Sequence, residues 1–347
     1  MITIEPTVEN IAFLKQCQRH LKDQRKNAFL DKEVTFKNHE MVQKAMAKAQ
    51  FHEFCGDQST WPSLFYSVKN FKQNPYYKHV PLHPSSSHHI ELSTMTFLPH
   101  RLFNLESVVD DPQQACNDSM VLRALDEPLV TRVLHRKGIL WMMNVPSETH
   151  TIDPIAQKVS GRVLTFGLGI GYFVYMAALN QKVTSITVVE KDPVVIEYFN
   201  EHLRQYFPQN KDIIIVNDDA LKVMNQPIHY DHLFVDTYQN ETDGLWWWLR
   251  SCERLNLEDE RLHFWIESSI TSIMRVALVH VMLNATQRYD ALTQECIDKT
   301  RAYFKIHPHH CMSVQDIQKV LYDHGLYRRI AKQTLSHKTV TKIAKTT

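Results

Sequence analysis

The sequence predicts an α/β protein built on a mostly parallel sheet. Three observations carry that expectation. From about residue 160, short apolar or β-branched runs alternate with helical segments. Each run ends in a glycine, an amide or an acid rather than in a hairpin turn. Finally, the chain has only 8 glycines in 347 residues, yet Gly167, Gly169 and Gly171 fall in one loop between a run and a helix; average usage is about 7%.

In chain order, residues 1–75 read as mainly helical. Ile11, Leu14, Cys17 and Leu21 recur at helical spacing, as do Met41, Val42, Ala45, Met46 and Ala49. Proline, serine and histidine crowd residues 72–88, which reads as a loop or linker. Ile90, Leu92 and Phe97 mark a strand, and 130–134 and 139–143 flank a His-Arg-Lys-Gly turn as a β-hairpin.

The alternating region begins with a strand over 163–166, the glycine loop and a helix over 172–179. A strand over 186–189 ends in Glu190. Asp192 followed by Pro193 is a helix start, with Val195, Phe199, Leu203 and Tyr206 as one apolar stripe. Strands over 213–216, 232–235 and 263–266 end in Asn217-Asp218-Asp219, in Asp236 and in Glu267. After 268 the text is helical, most clearly over 273–283 and 314–321. The expected divisions are 1–145, a helical and β-hairpin cap; 146–285, the ligand-binding α/β domain; and 286–347, a helical extension. Its last stretch carries Arg328, Arg329, Lys332, Lys338, Lys342 and Lys345 without an acid. With no aromatic platform beside it, it reads as a solvated terminus.

Charge and composition exclude some classes. The formal net charge is +1, from 39 basic and 38 acidic residues, which is not that of a strongly basic nucleic-acid binder or an acidic scaffold. No basic-then-apolar leader and no run of about 18 apolar residues occurs, so neither secretion nor a membrane span is expected. Cys17, Cys55, Cys116, Cys252, Cys296 and Cys311 form no C-x-x-C pair, and reduced thiols in a cytoplasm are expected. His307, His309, His310 and Cys311, and His88 with His89, match no zinc spacing, so no metal is expected.

The glycine loop carries the chemistry. Glycine there permits a sharp turn and close approach of the backbone to a ligand. A dinucleotide fingerprint requires glycine at the position occupied by Tyr172, and no Walker lysine is present. The spacing suits a nucleoside ligand without a diphosphate. Glu190 at the end of the next strand can accept both hydroxyls of a ribose. Asp219 is placed to meet an adenine amino group or to cap the following helix, and Asp218 is equally near. Asp236 is the candidate base and Asp243, otherwise a helix cap, the second. Trp246, Trp247 and Trp248 sweep about 200° of a helix and cannot all face one pocket; the others are expected in core or subunit packing.

Four segments in order, 163–171, 186–190, 217–220 and 230–236, resemble the motifs of class I S-adenosylmethionine-dependent methyltransferases, and within that fold the spermidine synthase branch. The resemblance covers residues 150–270. It implies a Rossmann-like core, S-adenosylmethionine as cofactor, and Gly167, Gly169 and Gly171 under its methionine part. It further implies Glu190 on the ribose, Asp219 at adenine and Asp236 facing the reacting end. A segment such as Trp141, Met142, Met143 and Ser147-Glu148-Thr149 can cover the cofactor in that family. Two of the branch's acids are replaced here, by Ile170 and Gln239, and Thr165 stands where many methyltransferases have an acid. The expected activity is therefore methyl transfer to a small-molecule acceptor, with preference for the carboxylated cofactor. The alternatives are a spermidine synthase-like aminopropyl transfer and a non-catalytic cofactor-binding protein. The partners expected are a small molecule and, through packing of the tryptophan helix, a homo-oligomer; neither nucleic acid nor membrane is.

Overall fold

A computed structural model describes residues 1–81, 85–87, 90–106, 108–111, 114–118, 120–255 and 259–335. Helix α1 (Val8–His20) starts at Thr7, whose side chain accepts from the Asn10 N–H, and buries Leu14 and Cys17. Helix α2 (His39–Lys48) buries Val42 and Met46. These are the faces that the spacing predicts. The stretch read as a loop contains a short helix instead, α3 (Pro75–His79). Asn74 caps it by accepting from the Tyr76 and Tyr77 N–H groups, and Pro75 supplies the preset φ at its start. Tyr76 is buried edge-on against Tyr172 and Tyr175, and that tertiary packing, invisible in local composition, fixes the segment. His88 and His89 lie outside the described residues.

Strands β1 (Ile90–Phe97), β2 (Leu129–Arg136) and β3 (Ile139–Met143) follow. With Ser85–Ser87 they form an antiparallel sheet, and β3 is its edge. The β2–β3 hairpin turns at Lys137 and Gly138, both with positive φ. An Arg136–Asp192 ion pair of 2.5 Å moors it to the α/β core.

Helix α4 (Pro146–Lys158) leads into β4 (Gly161–Phe166), then α5 (Tyr172–Leu179), β5 (Val183–Glu190), α6 (Pro193–Tyr198), β6 (Asp212–Asn217), α7 (Ala220–Val223), β7 (His232–Val235), α8 (Glu241–Arg254) and β8 (Leu262–Phe264). All five strands from β4 onward are parallel, in the order β6-β5-β4-β7-β8. That is the strand order 3-2-1-4-5 of a doubly wound sheet, whose direction reverses between the first and fourth strands. The core is a Rossmann-like α/β fold. Helix α5 is apolar nearly all round and correspondingly buried. The stripe after Asp192 holds for Val195, Phe199 and Leu203, but α6 ends at Tyr198 and continues as a wider π turn.

The fifth strand is shorter than the apolar run. It stops at Phe264; Ile266 takes a left-handed conformation (φ 46), and Glu267 opens helix α9 (Glu267–Met282) instead of ending a strand. Helices α9, α10 (Ala291–Ile306), α11 (Val314–Leu321) and α12 (His324–Ala331) follow. Arg328 belongs to α12 and not to a solvated tail: its guanidinium bonds the Glu267 carboxylate and the Leu262 carbonyl. Lys338, Lys342 and Lys345 lie outside the described residues. One pairing has no local signal in the sequence. Ile2–Ile4 forms a parallel ladder with His309–Cys311.

The six cysteines form no disulfide. Among the described residues, no helix is long and apolar enough to cross a membrane, and no group of three or more His, Cys, Asp or Glu side chains could hold a metal ion.

Candidate active site

A doubly wound sheet leaves a crevice at the carboxyl ends of its strands where the order reverses. Here that point lies between β4 and β7, and an open cleft occupies it. Gly167 and Gly169 from the loop after β4, Glu190 and Lys191 after β5, Asp219 after β6 and Asp236 to Gln239 after β7 all line it. Leu140, Trp141, Met142 and Met143 of β3 cover it, with Glu148 of α4, Trp247 of α8 and Trp265 after β8.

The glycines have three different reasons. Gly167 has φ 96, and a Cβ there would stand 2.0 Å from the Asp236 carbonyl oxygen, so only glycine lets the ends of β4 and β7 lie side by side. A Cβ on Gly169 would strike Met142 of the covering hairpin. Gly171 does not line the cleft. It caps α5 with φ 78, where a Cβ would meet Phe199 and Phe207. Tyr172, at the dinucleotide glycine position, is buried to 3% exposure, and its hydroxyl donates to Asp153 at 2.6 Å while accepting from Asn74.

Glu190 braces the loop. Its Oε2 accepts from the Leu168 N–H at 3.0 Å and its Oε1 from the Asp192 N–H at 2.8 Å. Burial pushes its carboxyl up, and those two backbone donors oppose the rise. Asp219 lines the cleft and also caps α7, accepting from the Leu221 N–H at 2.8 Å. Asp218 is turned elsewhere: it accepts from the Asp219 N–H and faces Lys222. Asp243 also stays out of the cleft lining. It closes the capping box of α8, accepting from the Gln239 and Asn240 N–H groups. Of the tryptophans, Trp247 lines the cleft, Trp248 is fully buried with its N–H on Glu267, and Trp246 is exposed.

Asp236 and Glu148 lie together in the cleft lining. Among the described residues, neither carboxyl has a hydrogen-bond partner. Burial pushes the Asp236 carboxyl up to about 7. Burial, and then the Asp236 charge, pushes Glu148 up to about 8. The wall beside them is fixed: the Tyr238 hydroxyl donates to the Trp265 carbonyl, and the Trp265 indole donates to Thr151 of α4, one turn beyond Glu148. The Thr237 hydroxyl is buried without a partner. The sequence reading placed Glu148 in a covering segment and assigned it no chemistry. An acid in the first turn of a helix ordinarily answers the helix dipole, and only the fold sets this one against Asp236.

Raised carboxyl pKa values fix a sign. Unfolded carboxyls lose their protons near pH 4, whereas these two keep theirs to about 7 and 8. Across that window the folded state binds more protons, so stability falls as pH rises. The melting temperature of the ligand-free protein is expected to drop between pH 5 and 8 (about the window those values define), and to drop less in Asp236→Asn. Identical pH slopes for the two proteins in calorimetry would place Asp236 in ordinary aqueous surroundings.

No protein-family model matches the chain, and no curated protein does. Among solved structures it is similar to a probable spermidine synthase from Corynebacterium glutamicum, at 15% identity and a TM-score of 0.27, covering 36% of this chain and 52% of that one. It is also similar to spermidine synthase from Thermotoga maritima, at 14% identity and a TM-score of 0.28, covering 50% and 53%. A spermidine synthase in complex with the transition-state analogue AdoDATO matches at 15% identity and a TM-score of 0.28, covering 50% and 54%. The matches span about half the length of those chains. Likeness of this degree assigns no chemistry; that comes from the cleft's own residues.

Proposed function

We propose that this protein is a transferase that takes an alkyl group from a sulfonium nucleoside and hands it to an amine, with decarboxylated S-adenosylmethionine as donor and aminopropyl as the group moved. The observation that carries this reading is the set of carboxyl groups in the cleft, whose ionised forms a bound cation would favour. Glu148, Glu190, Asp219 and Asp236 line it, with Lys191 as the one basic lining residue among those described. Such a lining suits ligands that bring positive charge and no carboxylate. The expectation that the carboxylated donor is preferred rested on Ile170 and Gln239. The Ile170 side chain is 2% exposed and packs in the core, outside the cleft, while Glu148 sets a second acid against Asp236. The acidity of the reacting end therefore comes from a different segment.

The cleft also fits the nucleoside. Glu190 offers its remaining lone pairs to a ribose diol, Asp219 faces the base, and Gly167 and Gly169 admit close approach. When bound, the sulfonium supplies a carbon open to in-line displacement, which makes positioning and exclusion of water the main task of the protein. Trp141, Trp247 and Trp265 exclude water from the end where Asp236 and Glu148 would hold the ammonium of the acceptor and take its proton. A second reading, methyl transfer from S-adenosylmethionine to the same kind of amine, draws support from Gln239, a neutral amide in the cleft.

Calorimetric titration with decarboxylated S-adenosylmethionine, S-adenosylmethionine, methylthioadenosine and NAD tests the donor. Mass spectrometry of a putrescine reaction tests the transfer. Tightest binding of the decarboxylated donor and appearance of spermidine are expected. A methylated amine would move the assignment to the second reading. Binding without turnover of any amine offered would favour a non-catalytic role, and tighter NAD binding would overturn the nucleoside assignment.

A further inference from the structure

The strand order spreads the polar groups of the cleft along a line. Asp219 and Glu190 stand beyond β6 and β5, at one end, and Asp236 and Glu148 at the other. The loop after β4 lies between them because β4 lies between β5 and β7. A single ligand that touches both acidic groups has to cross that loop.

Met142 stands at the crossing. A Cβ built on Gly169 falls 1.7 Å from Met142 Sδ and 2.7 Å from its terminal methyl, so the thioether rests on the bare α-carbon of Gly169. The side chain comes from β3, the edge of its sheet, which is paired along one side to β2 with a register irregularity near Leu134 and His135. Methionine is unbranched, with three rotatable bonds, and repacks at small cost. Gly167 and Gly171, by contrast, face backbone and core rings, which cannot move aside in the same way.

We propose that Met142 is a gate that divides the cleft. In the ligand-free chain it rests over Gly169 and narrows the cleft between its Glu190–Asp219 end and its Asp236–Glu148 end. It has to swing off Gly169 for a ligand that spans both, and it leaves a ligand confined to the first half undisturbed. Met142 thereby sets the selectivity between a nucleoside carrying a chain beyond its sulfur and one without it. The choice of probes, though not the gate's position, rests on the nucleoside reading above.

Calorimetry with S-adenosylmethionine as the spanning probe and methylthioadenosine as the short one tests it. If the closed position is held about nine-tenths of the time, Met142→Ala should tighten S-adenosylmethionine about tenfold and change methylthioadenosine by less than about twofold. Met142→Phe should move the ratio the other way, and Met142→Leu, of similar bulk, should keep it near wild type. Unliganded melting temperatures identify any variant whose fold has changed, and the opposed alanine and phenylalanine variants leave one direction readable if the other fails. Equal changes for both probes, or none, with binding intact would overturn the gate alone. Absence of binding of either probe to every protein would overturn the nucleoside reading and the gate with it.

Discussion

Glu190→Ala is expected to weaken sulfonium-nucleoside binding about a hundredfold, since two charge-assisted hydrogen bonds worth about 1.5–3 kcal/mol each are lost. A second loss adds to the first. The same carboxylate accepts from the N–H groups of Leu168 and Asp192, so its removal also frees the glycine loop from β5. Glu190→Gln should fall between, because its amide nitrogen would point at one of those donors. Titration calorimetry on folded variants measures both. Unchanged affinity in Glu190→Ala would remove the residue from the site.

Asp236→Asn should leave donor affinity within about threefold and lower turnover by about 10²–10⁴, the usual worth of a positioned base. A base acts only when deprotonated. Wild-type turnover should therefore rise with pH through about 7, where burial has placed this carboxyl, and the variant should lose that rise. Glu148 keeps its proton to about 8 and is neutral while Asp236 titrates, so Glu148→Gln should leave the Asp236 profile near that of the wild type. Rates of product formation across pH test all three proteins. Full turnover by Asp236→Asn would mean that the acceptor arrives already deprotonated.

The parts of this molecule that were legible in the sequence are those set by local rules. The helices Tyr172–Leu179 and Val314–Leu321 and the strand His232–Val235 fall on the residues that periodicity gives. The loop is marked by glycines in a glycine-poor chain, and Glu190 and Asp236 by their place at strand ends. What was not legible depends on partners far along the chain. Glu148 has a sufficient local reason to be an acid, so its second role leaves no trace. Asp243 and Asp219 read equally as caps and as site residues. The structure makes Asp243 a cap alone, while Asp219 both caps and lines the cleft. Met142 is one apolar residue in an apolar strand, and only the missing Cβ of Gly169 opposite reveals why it matters. Ile2–Ile4 is too short for any period to register.

That short strand sets a clock on biosynthesis. Thr3 meets His310, 307 positions later in the chain, and a ribosome adding about 5–20 residues per second needs about 15–60 s to deliver the second after the first. For most of that interval Leu14 and Cys17 of α1 lack the cover that residues of α9 and α11 finally give them. Helix α1 therefore waits, partly exposed and open to chaperones, until α9 and then α11 have been made, and the ladder closes only once His309–Cys311 has followed.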